Sequence, residues 1–220
     1  MSSGLLNVAQ ICPGTHTLGP GKRFALWVQG CPFSCVGCLA PDWIPFKSAN
    51  VVDVETLGRQ IVGVPDLEGL TISGGEPMIQ AQALADLVDY VTKRRSHLSV
   101  LVFSGFKLAD LRKKANSDQG IAALLERIDV LIDGLYIEEL NDGRGLRGSS
   151  NQRVHFLSDR YVYLAEQLTN GARKTEMHLM PAEILLVGVP TAKSLQSFHL
   201  VVEKLESNAI DSKELSERSS

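Results

Sequence analysis

The sequence predicts an α/β fold whose parallel sheet is either open or curled into a barrel. Three features of the 220-residue chain lead there. Short apolar runs rich in β-branched and aromatic residues recur along it, helical stripes lie between them, and glycine or small polar residues follow the runs directly. Continuous apolar runs suit strands covered on both faces, and strands alternating with helices imply βαβ units.

In chain order, the runs are Phe24 to Val28, Leu70 to Ile72, Val100 to Phe103, Val130 to Ile132 and Ile184 to Val187. Each is short and bounded by glycine or polar residues, as buried strands are. After the second run, Ile79, Ala83, Leu84, Leu87, Val88 and Val91 form a stripe at helical spacing, with Asp86, Asp89, Lys93 and Arg94 pointing elsewhere. Further helices are expected within Ile121 to Arg127 and within Ser194 to Glu206. The polar stretch from Ser207 to Ser220 reads as a flexible tail. With 44% hydrophobic residues the chain can bury one core, so residues 1–206 read as a single domain. Its last strand and helix, about 183–206, are expected to cover the edge of the sheet.

The partner classes narrow at once. A formal charge of -3 gives no basic field for nucleic acid or an anionic membrane. No apolar run reaches the length of a bilayer span, and Met1 to Gln10 lacks the charged-then-apolar order of a secretion signal. Of four cysteines, three crowd between positions 31 and 38, which speaks for metal or redox work rather than disulfides. The expected compartment is the cytoplasm.

The unusual residues fall after strands. Gly30 and the cysteine loop follow the first, Ser73 to Pro77 the second, Ser104 and Gly105 the third, Asp133 and Gly134 the fourth. Parallel α/β folds build their sites at the carboxyl ends of strands, so these segments are expected to converge.

Within that set, Cys31, Cys35 and Cys38 have the spacing Cys-x3-Cys-x2-Cys. Three thiolates on one loop can each hold an iron of a cubane 4Fe-4S cluster and leave the fourth iron open. The alternative is a zinc site completed by Cys12 or His16, although only Cys35 and Cys38 make a Cys-x2-Cys knuckle. Cys12, well upstream beside Pro13 and Gly14, reads as a structural thiol, and His16 as a polar loop residue. Trp27, Phe33 and Trp43 surround the loop in sequence and can keep a cluster pocket dry.

Thr71 to Pro77, Thr-Ile-Ser-Gly-Gly-Glu-Pro, leaves a strand and turns on two glycines. Backbone there can approach a ligand, and Glu76 offers an acceptor for an ammonium group. Taken with the cysteine loop, this pattern resembles the radical S-adenosylmethionine (SAM) superfamily. Gly37 before the third cysteine, Pro20 to Arg23 ahead of the first strand, the Asp133-Gly134 strand end and the Gly-Ser-Ser-Asn-Gln-Arg segment at 148–153 resemble the activases of anaerobic ribonucleotide reductase.

The resemblance implies a partial, open parallel β/α barrel of the radical SAM type and an oxidoreductase with no catalytic residue beyond the cluster ligands. Its cofactors would be a 4Fe-4S cluster and SAM, cleaved reductively to methionine and a 5′-deoxyadenosyl radical that abstracts hydrogen. Ser73, Gly74, Gly75 and Glu76 would meet the SAM amino group, Ser104 its carboxylate or ribose, and Asp133, Asn151, Gln152 and Arg153 further parts of it. Each has a plain alternative, Ser104 as a turn or cap residue and Arg153 as a structural ion pair. An electron donor such as flavodoxin or ferredoxin is implied. The substrate would be a glycyl-radical enzyme, or else a peptide or small molecule, and Leu135 to Ser150 is a long polar loop fit to meet it. A non-catalytic iron-sulfur or zinc protein is the reading from another class.

Overall fold

The computed structural model describes residues 4–179 and 183–217, excepting the side chains of residues 192 and 206–217. Its centre is a seven-stranded sheet in the order β3-β1-β2-β4-β5-β6-β7. Strands β1 (Leu5–Thr15), β2 (Arg23–Val28) and β3 (Asn50–Asp53) open the chain, and helix α1 (Val54–Val62) follows. Then come β4 (Gly69–Gly74), α2 (Ala81–Thr92), β5 (Ser99–Ser104), α3 (Leu108–Lys114), α4 (Gln119–Leu125) and β6 (Val130–Asp133). Last are β7 (Arg153–Phe156), α5 (Ala165–Asn170), β8 (Thr175–Leu179), β9 (Ile184–Gly188) and α6 (Ala192–Glu217).

The four central strands β2, β4, β5 and β6 are parallel, and β1, β3 and β7 join them antiparallel. The fold is thus α/β around a mostly parallel sheet, and each of the five apolar runs lies in a strand. β1 and β3 extend one edge and β7 the other, and their interrupted or polar sequences conceal them from a search for continuous apolar runs. Ile79, assigned to the helical stripe, stands in a 3-10 turn ahead of α2 and is 41% exposed.

Alternation along the strands divides the interior in two. Phe24, Leu26, Val28, Leu70, Ile72, Val100, Val102 and Leu131 point to the layer of α1 to α4 and form the main core with Leu57, Ile61, Leu84, Leu87 and Leu124. Their neighbours Ala25, Trp27, Leu101, Val130 and Ile132 face the opposite side, where they meet Val187 and Val189 after α5, or Tyr161 and Leu168. On that same side Arg23 is fully buried, its guanidinium donating to Thr71 Oγ1 at 2.6 Å and Ser99 Oγ at 3.0 Å.

The C-terminal strand does not extend the large sheet. β9 pairs with β8 in a separate antiparallel hairpin, which packs against Cys12, Leu18 and Trp27 on the face opposite the main helices. α6 runs beyond Glu206 through much of the stretch expected as a tail, and residues 218–220 lie outside the described residues. Among the described residues no helix is long and apolar enough to cross a membrane.

Candidate functional site

The carboxyl ends of the parallel strands surround a cavity of about 350 Å³. Cys31, Cys35 and Cys38 line it after β2, Ser73 to Glu76 after β4, Ser104 and Gly105 after β5, and Gly134 to Tyr136 after β6. Strand polarity alone explains the convergence, since each parallel strand delivers its following loop to the same end.

The cysteine loop is a hoop pinned at its base. Gly30 N donates to Trp43 O and Cys31 N to Ile44 O, both at 2.9 Å, while Gln29 Nε2 donates to Pro45 O at 2.8 Å. A 3-10 turn over Pro41–Trp43 closes the hoop, and Trp43 stacks at a tilt on Trp27 with ring centres 5.6 Å apart. Phe33, within the hoop, meets Phe106 edge-on at 4.8 Å. Trp27, Phe33 and Trp43 all line the cavity and give it an aromatic wall. Gly37 sits at φ +68°, where a Cβ would also run into the Glu138 carboxylate at 2.4 Å.

The two-glycine turn locks onto this hoop. Gly75 N donates to Val28 O at 2.7 Å and Glu76 N to Gly30 O at 2.8 Å. A Cβ on Gly75 would stand 2.1 Å from Gly30 O, so glycine here lets two backbones pass. Glu76 is fully buried, and its carboxylate accepts from Met78 N (2.9 Å), Ser104 Oγ (2.9 Å) and Gly105 N (2.7 Å). Burial pushes this carboxyl up to about 7, against the pull of those three donors. Burial also raises the thiols of Cys31 and Cys38, so metal uptake there must displace protons.

The remaining expected residues divide. Gln152 lines the cavity, bracing it from behind: its Oε1 accepts from Gly148 N at 2.7 Å and its Nε2 donates to Gly134 O at 2.6 Å. Asp133, Asn151 and Arg153 are not among the lining residues. Asp133 Oδ2 accepts from Leu108 N at 2.6 Å, at the start of α3, and lies 2.8 Å from His155 Nε2. Asn151 Nδ2 donates to Leu135 O at 2.8 Å, and Arg153 is exposed at the head of β7. Sequence reasoning missed Tyr136 and Gly148, and above all Leu186, Val189, Leu195 and Phe198 from the last hairpin and helix. The signals available for that wall were the apolar run at 184–187 and the helix expected within Ser194 to Glu206.

The donor set fits a cluster held at three points. Cys12 lies in the apolar core beneath β9, 3.7 Å from His178 Nε2, and His16 lines a separate cleft, so neither shares the cavity with the loop. Among the described residues no three His, Cys, Asp or Glu side chains, those of the loop cysteines included, are drawn together as a bound metal would hold them. Glu76 accepts two hydrogen bonds on Oε1 and one on Oε2, which leaves one acceptor site on the carboxylate.

A mostly parallel α/β sheet presenting three thiols and a two-glycine turn in one cavity fits an iron-sulfur enzyme scaffold. Residues 17–155 match the family described as a 4Fe-4S single cluster domain. Anaerobic ribonucleoside-triphosphate reductase-activating proteins are similar too. Those of Vibrio cholerae and Haemophilus influenzae are each 34% identical, over 157 and 160 residues, covering 68% of this chain and 97% of theirs. That of Escherichia coli K12 is 31% identical over 160 residues, covering 69% of this chain and 99% of its own. The chain belongs to the 4Fe-4S single cluster family and is a radical SAM enzyme of the glycyl-radical-activating kind. Its cofactors are a 4Fe-4S cluster and SAM.

Proposed function

We propose that this protein activates a glycyl-radical enzyme, of which an anaerobic ribonucleotide reductase is the leading candidate, by abstracting hydrogen from it in the cytoplasm. The carrying observation is the meeting of Cys31, Cys35, Cys38 and the Ser73 to Glu76 turn in one cavity at the strand ends. Similarity to reductase-activating proteins from three bacteria supports the choice of partner.

In this reading Cys31, Cys35 and Cys38 would be the residues that hold the cluster. The chemistry supplied by the bound cluster and SAM is one-electron cleavage of the sulfonium, giving methionine and a 5′-deoxyadenosyl radical that takes hydrogen from the substrate. The chain's own residues position and protect. Ser73 to Gly75 present backbone to the SAM amino group, and Glu76 fixes that turn against Ser104 and Gly105. Gln152 holds the Gly134 loop at the opposite rim. Trp27, Phe33 and Trp43 exclude water from the reacting centre. In the same reading the mostly parallel seven-stranded sheet corresponds to the partial, open barrel of this superfamily. Electrons come from a donor such as flavodoxin or ferredoxin.

The test is anaerobic reconstitution with iron, sulfide, a reductant and SAM, assayed for 5′-deoxyadenosine. Addition of an anaerobic ribonucleotide reductase should yield a glycyl-radical signal by electron paramagnetic resonance. Absence of 5′-deoxyadenosine removes the reading, and 5′-deoxyadenosine without a glycyl radical removes the partner.

A further inference from the structure

We propose that the basic face formed by α3 and the residue before it is the docking surface for an acidic protein that delivers the electron the cluster needs. Lys107, Arg112, Lys113 and Lys114 make this face, and Phe106 joins it to the cysteine loop. The inference rests on the radical SAM reading and names where the reductant binds.

The sequence concentrates positive charge here against its own balance. A chain of net charge -3 places four cations and a single acid, Asp110, in the stretch from Lys107 to Lys114. Leu108 and Leu111 are buried in the main core and fix which side of α3 faces inward. The four cations are left exposed. Among the described residues the one ion pair they make is that of Lys113 with Asp110, at 3.9 Å, and the Lys113 side chain stays 81% exposed. Like charges so close repel one another, and a negative partner relieves that repulsion.

Position gives the partner its role. Lys114 Nζ lies 5.2 Å from the centre of the Phe106 ring, and Phe106 meets Phe33 edge-on inside the hoop. Phe33 stands between Cys31 and Cys35, so two aromatic side chains separate the basic face from the ligand loop. Elsewhere on that loop the charge has the opposite sign, because Gly37 lies beside the Glu138 carboxylate and Glu139 is exposed next to it. An acidic protein is therefore drawn to the Phe33 side and repelled from the Gly37 side. Any polyanion would feel these cations; the contact through Phe106 and Phe33 to the cysteine loop is what favours a redox protein over a nucleic acid. In the step itself the donor is oxidised by one electron and the oxidised cluster is reduced by one, with no bond made or broken.

Calorimetric titration with an acidic flavodoxin tests this on the full chain without cluster or SAM. Binding to the wild type should weaken as salt rises. Arg112→Glu, Lys113→Glu and Lys114→Glu should each weaken it at least about fivefold. Arg59→Glu, exposed on α1 and separated from α3 by α2 and α4, should bind as wild type. In the reconstituted protein the three reversals should slow cluster reduction by reduced flavodoxin and leave reduction by photoreduced deazariboflavin, a small uncharged reductant, unchanged. Flavodoxin binding that ignores all three reversals overturns the docking surface, as does an equal loss in Arg59→Glu. Binding of single-stranded DNA in place of flavodoxin overturns it too, and so does slower reduction by both reductants. The titration needs no 5′-deoxyadenosine, so failure of the radical reading would be seen separately, in the reconstitution assay.

Discussion

Glu76 and Ser104 join two strand ends through a buried hydrogen bond of 2.9 Å, and Glu76 extends the link by accepting from Gly105 N at 2.7 Å. The carboxylate therefore does structural work inside a motif whose sequence suggests direct ligand contact. Replacing it leaves the N–H groups of Met78 and Gly105 without their acceptor, and each unpaired buried donor costs about 1–3 kcal/mol. Glu76→Ala should lower the melting temperature of the cluster-free protein and weaken SAM binding, with iron content after reconstitution unchanged. Calorimetry and iron analysis check it; wild-type SAM affinity would detach the turn from the SAM site.

The same residue sets a pH dependence. Its carboxyl is raised from the ordinary 4.5 to about 7, chiefly by burial, so the folded state holds this proton more tightly than the unfolded state. The stabilisation is complete below 4.5 and is lost as pH rises through about 7. Glu76→Gln cannot titrate. The melting temperature of wild type minus that of Glu76→Gln should therefore fall between pH 4.5 and 7 and level off above, as thermal melts across that range will reveal.

The cysteines should separate cleanly. Alanine at Cys31, Cys35 or Cys38 removes one of three anchors and should abolish cluster assembly, read from iron content and the visible absorption of the cluster. Cys12→Ala should retain the cluster, because Cys12 belongs to the core under β9. Its loss leaves a small void costing roughly 1 kcal/mol. Cluster loss in Cys12→Ala would overturn the three-ligand assignment.

That Cys31, Cys35 and Cys38 share one cavity was legible because they stand on one short loop after β2, a closeness that needs no knowledge of the fold. The central strands were legible because burial on both faces makes Phe24 to Val28 and Val130 to Ile132 continuously apolar. β1 escaped because it changes allegiance. Leu6 and Val8 face the helix layer, register irregularities intervene, and Cys12 faces the opposite cluster. The wall escaped for a different reason, since an apolar run at 184–187 identifies a strand but not what it packs against.

Asp133 is governed by strand parity. Val130 and Ile132 face the cavity side of the sheet, Leu131 faces the helices, and Asp133 follows Leu131's parity to reach the amide of Leu108. It supplies the cap that Lys107, the residue before α3, does not provide. Asp133→Ala should cost about 1 kcal/mol in stability and lower SAM affinity far less than Glu76→Ala does. A larger loss of SAM affinity in Asp133→Ala, measured by titration calorimetry, would restore it to the cofactor site.

A last contrast isolates the seam between the cysteine hoop and the two-glycine turn. Gly75→Ala places a methyl 2.1 Å from Gly30 O, a backbone atom that cannot swing aside. The turn must move, and with it go the bonds from Gly75 N to Val28 O and Glu76 N to Gly30 O. Two buried amide donors then lose their acceptors, so the variant should be destabilised by about 2 kcal/mol or more. It should also take up less iron although all three cysteines remain. Gly37→Ala strains the hoop itself, through its positive φ, by about 1–2 kcal/mol, but the atom in its way is the end of the Glu138 side chain, which can rotate. Gly37→Ala should therefore keep its iron. Equal iron loss in the two variants would show that the hoop's own conformation, and not its seam with the turn, controls cluster assembly.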